Sequence, residues 1–220
     1  MSMQNLKIIL ASTSPRRKEL LGLITDHFDI ESADVNENVY LNETPWSYVR
    51  RLALEKALTV AKRHGEGVIV LGSDTTVVLD DEIIGKPVDA EDAWRILTAL
   101  KGRYHQVYTG VAAVNNTTTT VTSRVIRTDV PMRAYSNEEL SAYIASGDPM
   151  DKAGAYGIQN SDFVAKRELT GCYASVMGFP ICAVHSFLQA AGIPATSGIE
   201  DRCQTFIRYR CSVFPEFLTQ

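Results

Sequence analysis

A chain of 220 residues suits one large domain, and its 45% apolar content is enough for a substantial core. Charged residues make up 22%, which is ordinary for a soluble globule. The net charge of −4 excludes broad, sequence-independent binding to nucleic acid, which needs a basic face, but leaves room for a local basic pocket.

Residues 7–22 read "KIILASTSPRRKELLG". Ile8, Ile9 and Leu10 form a short apolar block rich in β-branched residues, which predicts a buried strand. Ser14 offers an N-cap oxygen and Pro15 suits a first helical position, so Arg16 and Arg17 fall in the first turn of a helix. The helix dipole is positive at that end and disfavours cations. Two solvated arginines are one explanation. The other is an anion held between arginine forks and the free N–H groups of the helix start.

An extended segment, "HFDIESADVNEN", leads to a second helix, "TPWSYVRRLALEKALTVAKRHG", with Thr44 as cap, Pro45 at its first position and Gly65 beyond its end. Its apolar stripe runs through Val49, Leu52, Ala53, Ala57 and Val60, and Lys56 falls on the same stripe. A lysine there snorkels to water by default, or points at something negative. "GVIVLGSDTTVVLDDEIIGKP" predicts a strand over 68–71 closed by Gly72, then a hairpin of 75–79 and 82–84 turning at Asp80 and Asp81. "DAEDAWRILTALKG" predicts a third helix, capped by Asp89 and stopped at Gly102. "HQVYTGVAAV" and "TVTSRVIRTDVPMRAY" alternate like two antiparallel strands around Asn115, Asn116 and Thr117. Ser136 and Glu139 make a capping-box pattern for another helix. A polar, glycine-rich loop follows, then "FVAKREL" as a strand and "GFPICAVHSFLQAAG" as a last helix starting near Pro180. The tail, 196–220, shows no clear period and reads as loosely attached. Helices interleaved with strands and hairpins give an α/β fold with a mixed sheet.

The longest apolar runs are strand-sized, short of the ~20 residues of a membrane helix, and no secretory signal is visible at the N-terminus. Cys172, Cys182, Cys203 and Cys211 lack C-x-x-C spacing and read as reduced thiols of a cytoplasmic protein. His27, His64, His105 and His185 are scattered and read as structural or solvated.

Asp74 stands out because it follows an apolar strand and a glycine. Ligand sites of open α/β sheets lie beyond the carboxyl ends of strands, where a carboxylate binds metal or activates water; a plain turn role is the alternative. With Glu37, in "DVNEN", and Lys86, in "GKP", the candidates are four cations (Arg16, Arg17, Lys56, Lys86) and two carboxylates. A nucleoside triphosphate needs such a mixture: cations for phosphate oxygens, and carboxylates for a bridging magnesium ion. No G-x-x-x-x-G-K-[ST], strand-following G-x-G-x-x-G or G-x-S-x-G is present, which disfavours P-loop ATPases, Rossmann dehydrogenases and serine hydrolases.

"ILASTSPRRKELL" resembles the opening signature of the Maf family of nucleotide pyrophosphatases. The likeness continues through "EKA", "GSDTTVVLDDEIIGKP", "LKGRYHQVYTGV" and "DKAGAYGIQ", five separated blocks over nearly the whole chain except the tail. The resemblance implies a two-lobed α/β domain over 1–197, similar to the inosine-triphosphatase group, with a cleft between lobes and a tail, 198–220, of unknown role. It implies hydrolysis of a nucleoside triphosphate to the monophosphate and pyrophosphate, assisted by Mg²⁺ or Mn²⁺, in a homodimer; the net charge and short apolar runs argue against a polymer or membrane partner, and the thiols for the cytoplasm. By position it places phosphate binding on Ser12, Arg16, Arg17, Lys56 and Lys86. Catalysis falls on Asp74 as general base, metal binding on Glu37 and Asp74, and specificity on Arg16, Thr75 and Gln159. "AGAYGIQ" is similar to the dTTP/UTP branch rather than the 7-methyl-GTP branch. A glutamine amide can serve a pyrimidine carbonyl and its N3–H together, or simply cap loop backbone. Ala174 and "QNSDF" depart from the family pattern. The competing class is a nucleotide-binding regulator of septum formation that barely catalyses; within the enzyme class the competitors are 7-methyl-GTP and other modified nucleotides.

Overall fold

The computed structural model describes residues 6–159, 163–194, 196–211 and 213–214. Six strands form one mixed sheet: β1 (Lys7–Leu10), β2 (Asp29–Ile30), β3 (Val68–Leu79), β4 (Glu82–Ile84), β5 (Tyr104–Asn115) and β6 (Thr120–Pro131). Their order is β2-β1-β3-β5-β6, with β4 also on β3. β1 runs parallel to β2 and β3, whereas β3, β5 and β6 pair antiparallel and β4 folds back on β3. The helices are α1 (Pro15–Gly22), α2 (Pro45–Ala61), α3 (Ala90–Leu100), α4 (Asn137–Ala145), α5 (Tyr173–Val176), α6 (Ile181–Ala190) and α7 (Ile199–Ile207).

Strand alternation divides the interior in two. Ile8, Leu10, Ile69 and Leu71 enter the larger core with α1, α3, α4 and α6, while Ile9, Val68 and Val70 pack with Ala53, Ala57 and Val60 of α2. Thr44 caps α2 by accepting from the Ser47 N–H, Asp89 caps α3 through the Asp92 N–H, and Ser136 with Glu139 closes the expected capping box. Asp80 and Asp81 both take positive φ, 52° and 65°, the left-handed pair a two-residue hairpin requires.

Several expectations need correction. Ser14 sits at the N-cap of α1 but makes no side-chain cap; its N–H donates instead to Ser12 Oγ at 3.2 Å. Gly72 does not close a strand, since β3 runs unbroken for 12 residues. Its role is close approach: a Cβ there would lie 2.2 Å from the Ala53 carbonyl oxygen of α2, and one at Gly110 would lie 2.2 Å from that of Val49. "FVAKREL" is not a strand. Val164 and Thr170 make isolated bridges to Met132 and Asp129, and a 3-10 turn at Lys166–Glu168 breaks the ladder between them. The tail is not loose over its described part, because α7 buries Ile199, Cys203 and Ile207 in the larger core. Those residues recur every four positions, a stripe too narrow to register as a period.

Candidate active site

β1 pairs with β3 only as far as Leu10 opposite Leu71, and β4 joins the same edge at Val77 opposite Ile84. Between them, residues 72–76 of β3 have no strand neighbour on that side among the described residues. A cleft of about 590 Å³ opens at this gap, where the parallel strand ends and the edge changes partner. Alternation along β3 sends Asp74 toward α2 and sends Ser73, Thr75 and Val77 to the opposite face.

On the α2 face, Lys56 does not snorkel. It is 8% exposed, and its Nζ lies 2.7 Å from Asp74 Oδ1 and 2.6 Å from Glu37 Oε1. A buried ammonium on an apolar stripe is tolerated because two carboxylates surround it. Burial pushes the Asp74 carboxyl above the usual aspartate range, against the opposing pull of Lys56 and Arg17. Glu37 is the reverse case: burial works to raise it, but Lys56, Lys86 and Arg17 together hold it below the ordinary range. The loop carrying Glu37 is pinned by α2. Tyr48 donates its hydroxyl to the Glu37 carbonyl at 2.9 Å, and Arg51 donates to the carbonyls of Asn36 and Asn38 at 3.3 and 3.0 Å. Arg51 is fixed in turn by Glu43, whose oxygens accept at 2.6 and 2.8 Å.

From the first turn of α1, Arg17 donates to the Gly178 carbonyl and to Ser12 Oγ, both at 3.1 Å. Desolvation lowers its pKa, while Asp74 acts to restore it. Ser73 donates to the same Gly178 carbonyl at 2.8 Å, locking this loop against β3. Arg16 reaches to 3.9 Å from Asp151. Ser12, Arg16, Arg17, Glu37, Lys56, Asp74, Thr75, Lys86 and Gln159, the nine positions singled out in the sequence, all line the one cleft, with Lys86 and Gln159 at its exposed rim.

The sequence reading missed Lys152, which also lines the cleft and donates to Asp148 Oδ1 at 3.0 Å and Asp151 Oδ1 at 2.6 Å. It missed Tyr143, whose hydroxyl donates to Asp148 at 2.7 Å and accepts from the Gly157 N–H at 3.1 Å, bracing the loop before Gln159. "DKAGAYGIQ" held the signal for Lys152, but Tyr143 lies on a separate helix, so only folding reveals its part.

As for a divalent cation, Asp74 and Glu37 supply hard oxygen ligands that already converge on one cation, the Lys56 ammonium. Among the described residues no group of three or more His, Cys, Asp or Glu could hold a metal ion. The pair therefore fits an ion completed by phosphate oxygens and water, as magnesium sites commonly are. Among the described residues no helix is long and apolar enough to cross a membrane.

A mixed α/β sheet thus brings paired carboxylates and four cations to one cleft at a switch in strand pairing. The chain belongs to the Maf family: the family model described as "Maf-like protein" matches residues 7–191. It is 46% identical over 187 residues to the dTTP/UTP pyrophosphatase of Myxococcus xanthus, covering 85% of this chain and 93% of that protein. It is 44% identical to the protein of that name from Dictyoglomus turgidum, over 84% of this chain and 96% of the relative. The dTTP/UTP pyrophosphatase of Shewanella denitrificans is 45% identical, over 83% and 94%. A solved nucleoside-triphosphatase / dITP/XTP pyrophosphatase from Mycobacterium abscessus aligns with a TM-score of 0.38 at 16% identity, over 59% of this chain and 76% of that one, a likeness too distant to carry an argument.

Proposed function

We propose that this protein hydrolyses dTTP and UTP to the nucleoside monophosphate and pyrophosphate. The observation that carries the reading is the placement of Lys56 between Asp74 and Glu37 at 2.7 and 2.6 Å, on the wall of a cleft that Arg16, Arg17 and Lys86 also line. Relatives of 44–46% identity named dTTP/UTP pyrophosphatases supply the substrate class.

In this reading Arg16, Arg17, Lys56, Lys86, the Ser12 hydroxyl and the N–H groups at the start of α1 bind the triphosphate. Asp74 takes a proton from a water whose oxygen forms a bond to the α-phosphorus. The bond from that phosphorus to the α–β bridging oxygen breaks, and pyrophosphate leaves with the electron pair. Burial suits Asp74 to this work, since a carboxylate of raised pKa is a better proton acceptor. A Mg²⁺ or Mn²⁺ ion held by Asp74 and Glu37 would neutralise phosphate charge. Positioning and fixed charges contribute the rest. Thr75, Gln159 and Arg16 select the nucleotide. The family resemblance adds a homodimer to the proposal, and the free thiols a cytoplasmic location.

The test is a panel of dTTP, UTP, CTP, ATP, GTP and 7-methyl-GTP with Mg²⁺, with pyrophosphate measured as product. Pyrophosphate appears chiefly from dTTP and UTP. Its absence from both, or a preference for 7-methyl-GTP, overturns the assignment.

A further inference from the structure

Thr75 lies on the face of β3 opposite Asp74, beside Val77, Val107, Tyr156, Ile158 and Met177, which give that side of the cleft apolar walls. Its Oγ1 is 2.9 Å from Thr109 Oγ1, directly across the β3–β5 register. Taken alone, that contact does not say which hydroxyl donates. A second one does. Thr109 Oγ1 also lies 2.7 Å from the Ser175 carbonyl oxygen, which can only accept. Thr109 has a single hydroxyl hydrogen and is fully buried, so that hydrogen is committed to Ser175. Thr109 must then accept from Thr75. The Thr75 hydrogen points into the sheet, and what Thr75 offers the cleft is lone pairs only.

We infer that Thr109 is a positioning residue that fixes Thr75 as an obligate hydrogen-bond acceptor, and that this polarity selects the N3–H of uracil and thymine while rejecting cytosine. The inference rests on the proposed function and deepens it. Uracil and thymine carry a hydrogen on N3; cytosine presents a lone pair there, so cytosine facing Thr75 sets acceptor against acceptor. Gln159 cannot make this distinction alone, because its amide can turn over and exchange donor for acceptor. A hydroxyl whose hydrogen is held from behind has no such freedom. The relay is anchored deeper still: Ser175 Oγ lies 2.9 Å from Thr128 Oγ1 and donates to the Cys172 carbonyl at 2.7 Å, which fixes α5 against β6.

The experiment compares kcat/KM for UTP and CTP in the wild type, Thr109→Val and Thr109→Ser, with folding checked by circular dichroism. The wild type favours UTP by about 100-fold or more, as expected of a site built around one hydrogen-bonded group. Thr109→Val frees the Thr75 hydroxyl to turn and donate, and the UTP/CTP ratio shrinks by about 10-fold. Thr109→Ser keeps the relay and the wild-type ratio. Should Thr109→Val not fold, Thr75→Val and Thr75→Ser decide the matter: the valine variant loses the preference and the serine variant keeps it. An unchanged ratio in a folded Thr109→Val or Thr75→Val protein overturns the inference, as does a wild type indifferent to the base. If 3′-deoxy-dTTP is handicapped while the base ratio stays flat, Thr75 faces the sugar and the inference is again overturned. Calorimetric binding of UMP and CMP reads the same preference without turnover. Failure to release pyrophosphate therefore overturns the proposed function, while the binding ratio still decides the role of Thr109.

Discussion

At the scale of single residues, the site joins two carboxylates whose surroundings push them apart. Asp74 is 7% exposed and raised, first by burial; Glu37 sits nearer solvent and is held low by Lys56, Lys86 and Arg17. One is thereby suited to accept a proton and the other to remain an anion. Asp74→Asn lowers kcat for dTTP by about 100- to 10,000-fold and leaves nucleotide affinity near wild type, measured by steady-state turnover and by calorimetry. Asp74 accepts a proton only when ionised, so wild-type kcat/KM falls as pH drops through a pKa above 3.8, the ordinary aspartate value. A pH–rate profile shows that limb, and a limb at 3.8 or below means that the carboxyl is not raised in the working enzyme. Stability follows from the same shift. A carboxyl whose folded pKa is raised favours folding below its unfolded pKa and loses that contribution as pH rises through the folded value. At neutral pH the asparagine variant escapes this penalty but leaves the buried Lys56 ammonium with only Glu37 of its two carboxylates, so its Tm does not exceed that of the wild type.

At the scale of elements, the seating of α2 on the sheet governs the site, because α2 carries Lys56, Tyr48 and Arg51. Gly72 and Gly110, on adjacent strands, let the helix backbone approach to a distance no Cβ tolerates. Gly72→Ala forces α2 outward and destabilises the fold by about 1–3 kcal/mol or more, read from the urea midpoint. The same displacement pulls Lys56 from Asp74, so kcat falls even in preparations that remain folded. A variant with wild-type midpoint and turnover would show that α2 does not depend on this approach. The helix starts at Thr44, Asp89 and Ser136 were legible because a cap is a local contact between residues three apart. Gly72 was misread because a glycine that ends a strand and one that admits a helix look alike until the neighbour is known.

At the scale of the whole molecule, one sheet supports both cores, and the cleft sits where its edge changes partner from β1 to β4. The C-terminal helix belongs to that body: Ile199, Cys203 and Ile207 are buried with α5 and α6. Ile207→Ala should cost about 2–5 kcal/mol in a urea titration, with kcat/KM at low denaturant near wild type because α7 lines no part of the cleft. An unchanged midpoint would return the tail to the loosely attached state its composition suggests.

The sequence alone marked the nine positions that line the cleft, because the blocks that carry the family resemblance are local patterns. It also determined most helix starts and the β3–β4 and β5–β6 hairpins, which depend on caps and turns within a few residues. Only the tertiary structure decided that Lys56 turns inward, that Thr109 sets the polarity of Thr75, and that α7 closes the core. Each of these hangs on a partner 18 or more positions away, and no spacing along a chain records what a side chain will meet once the strands have paired.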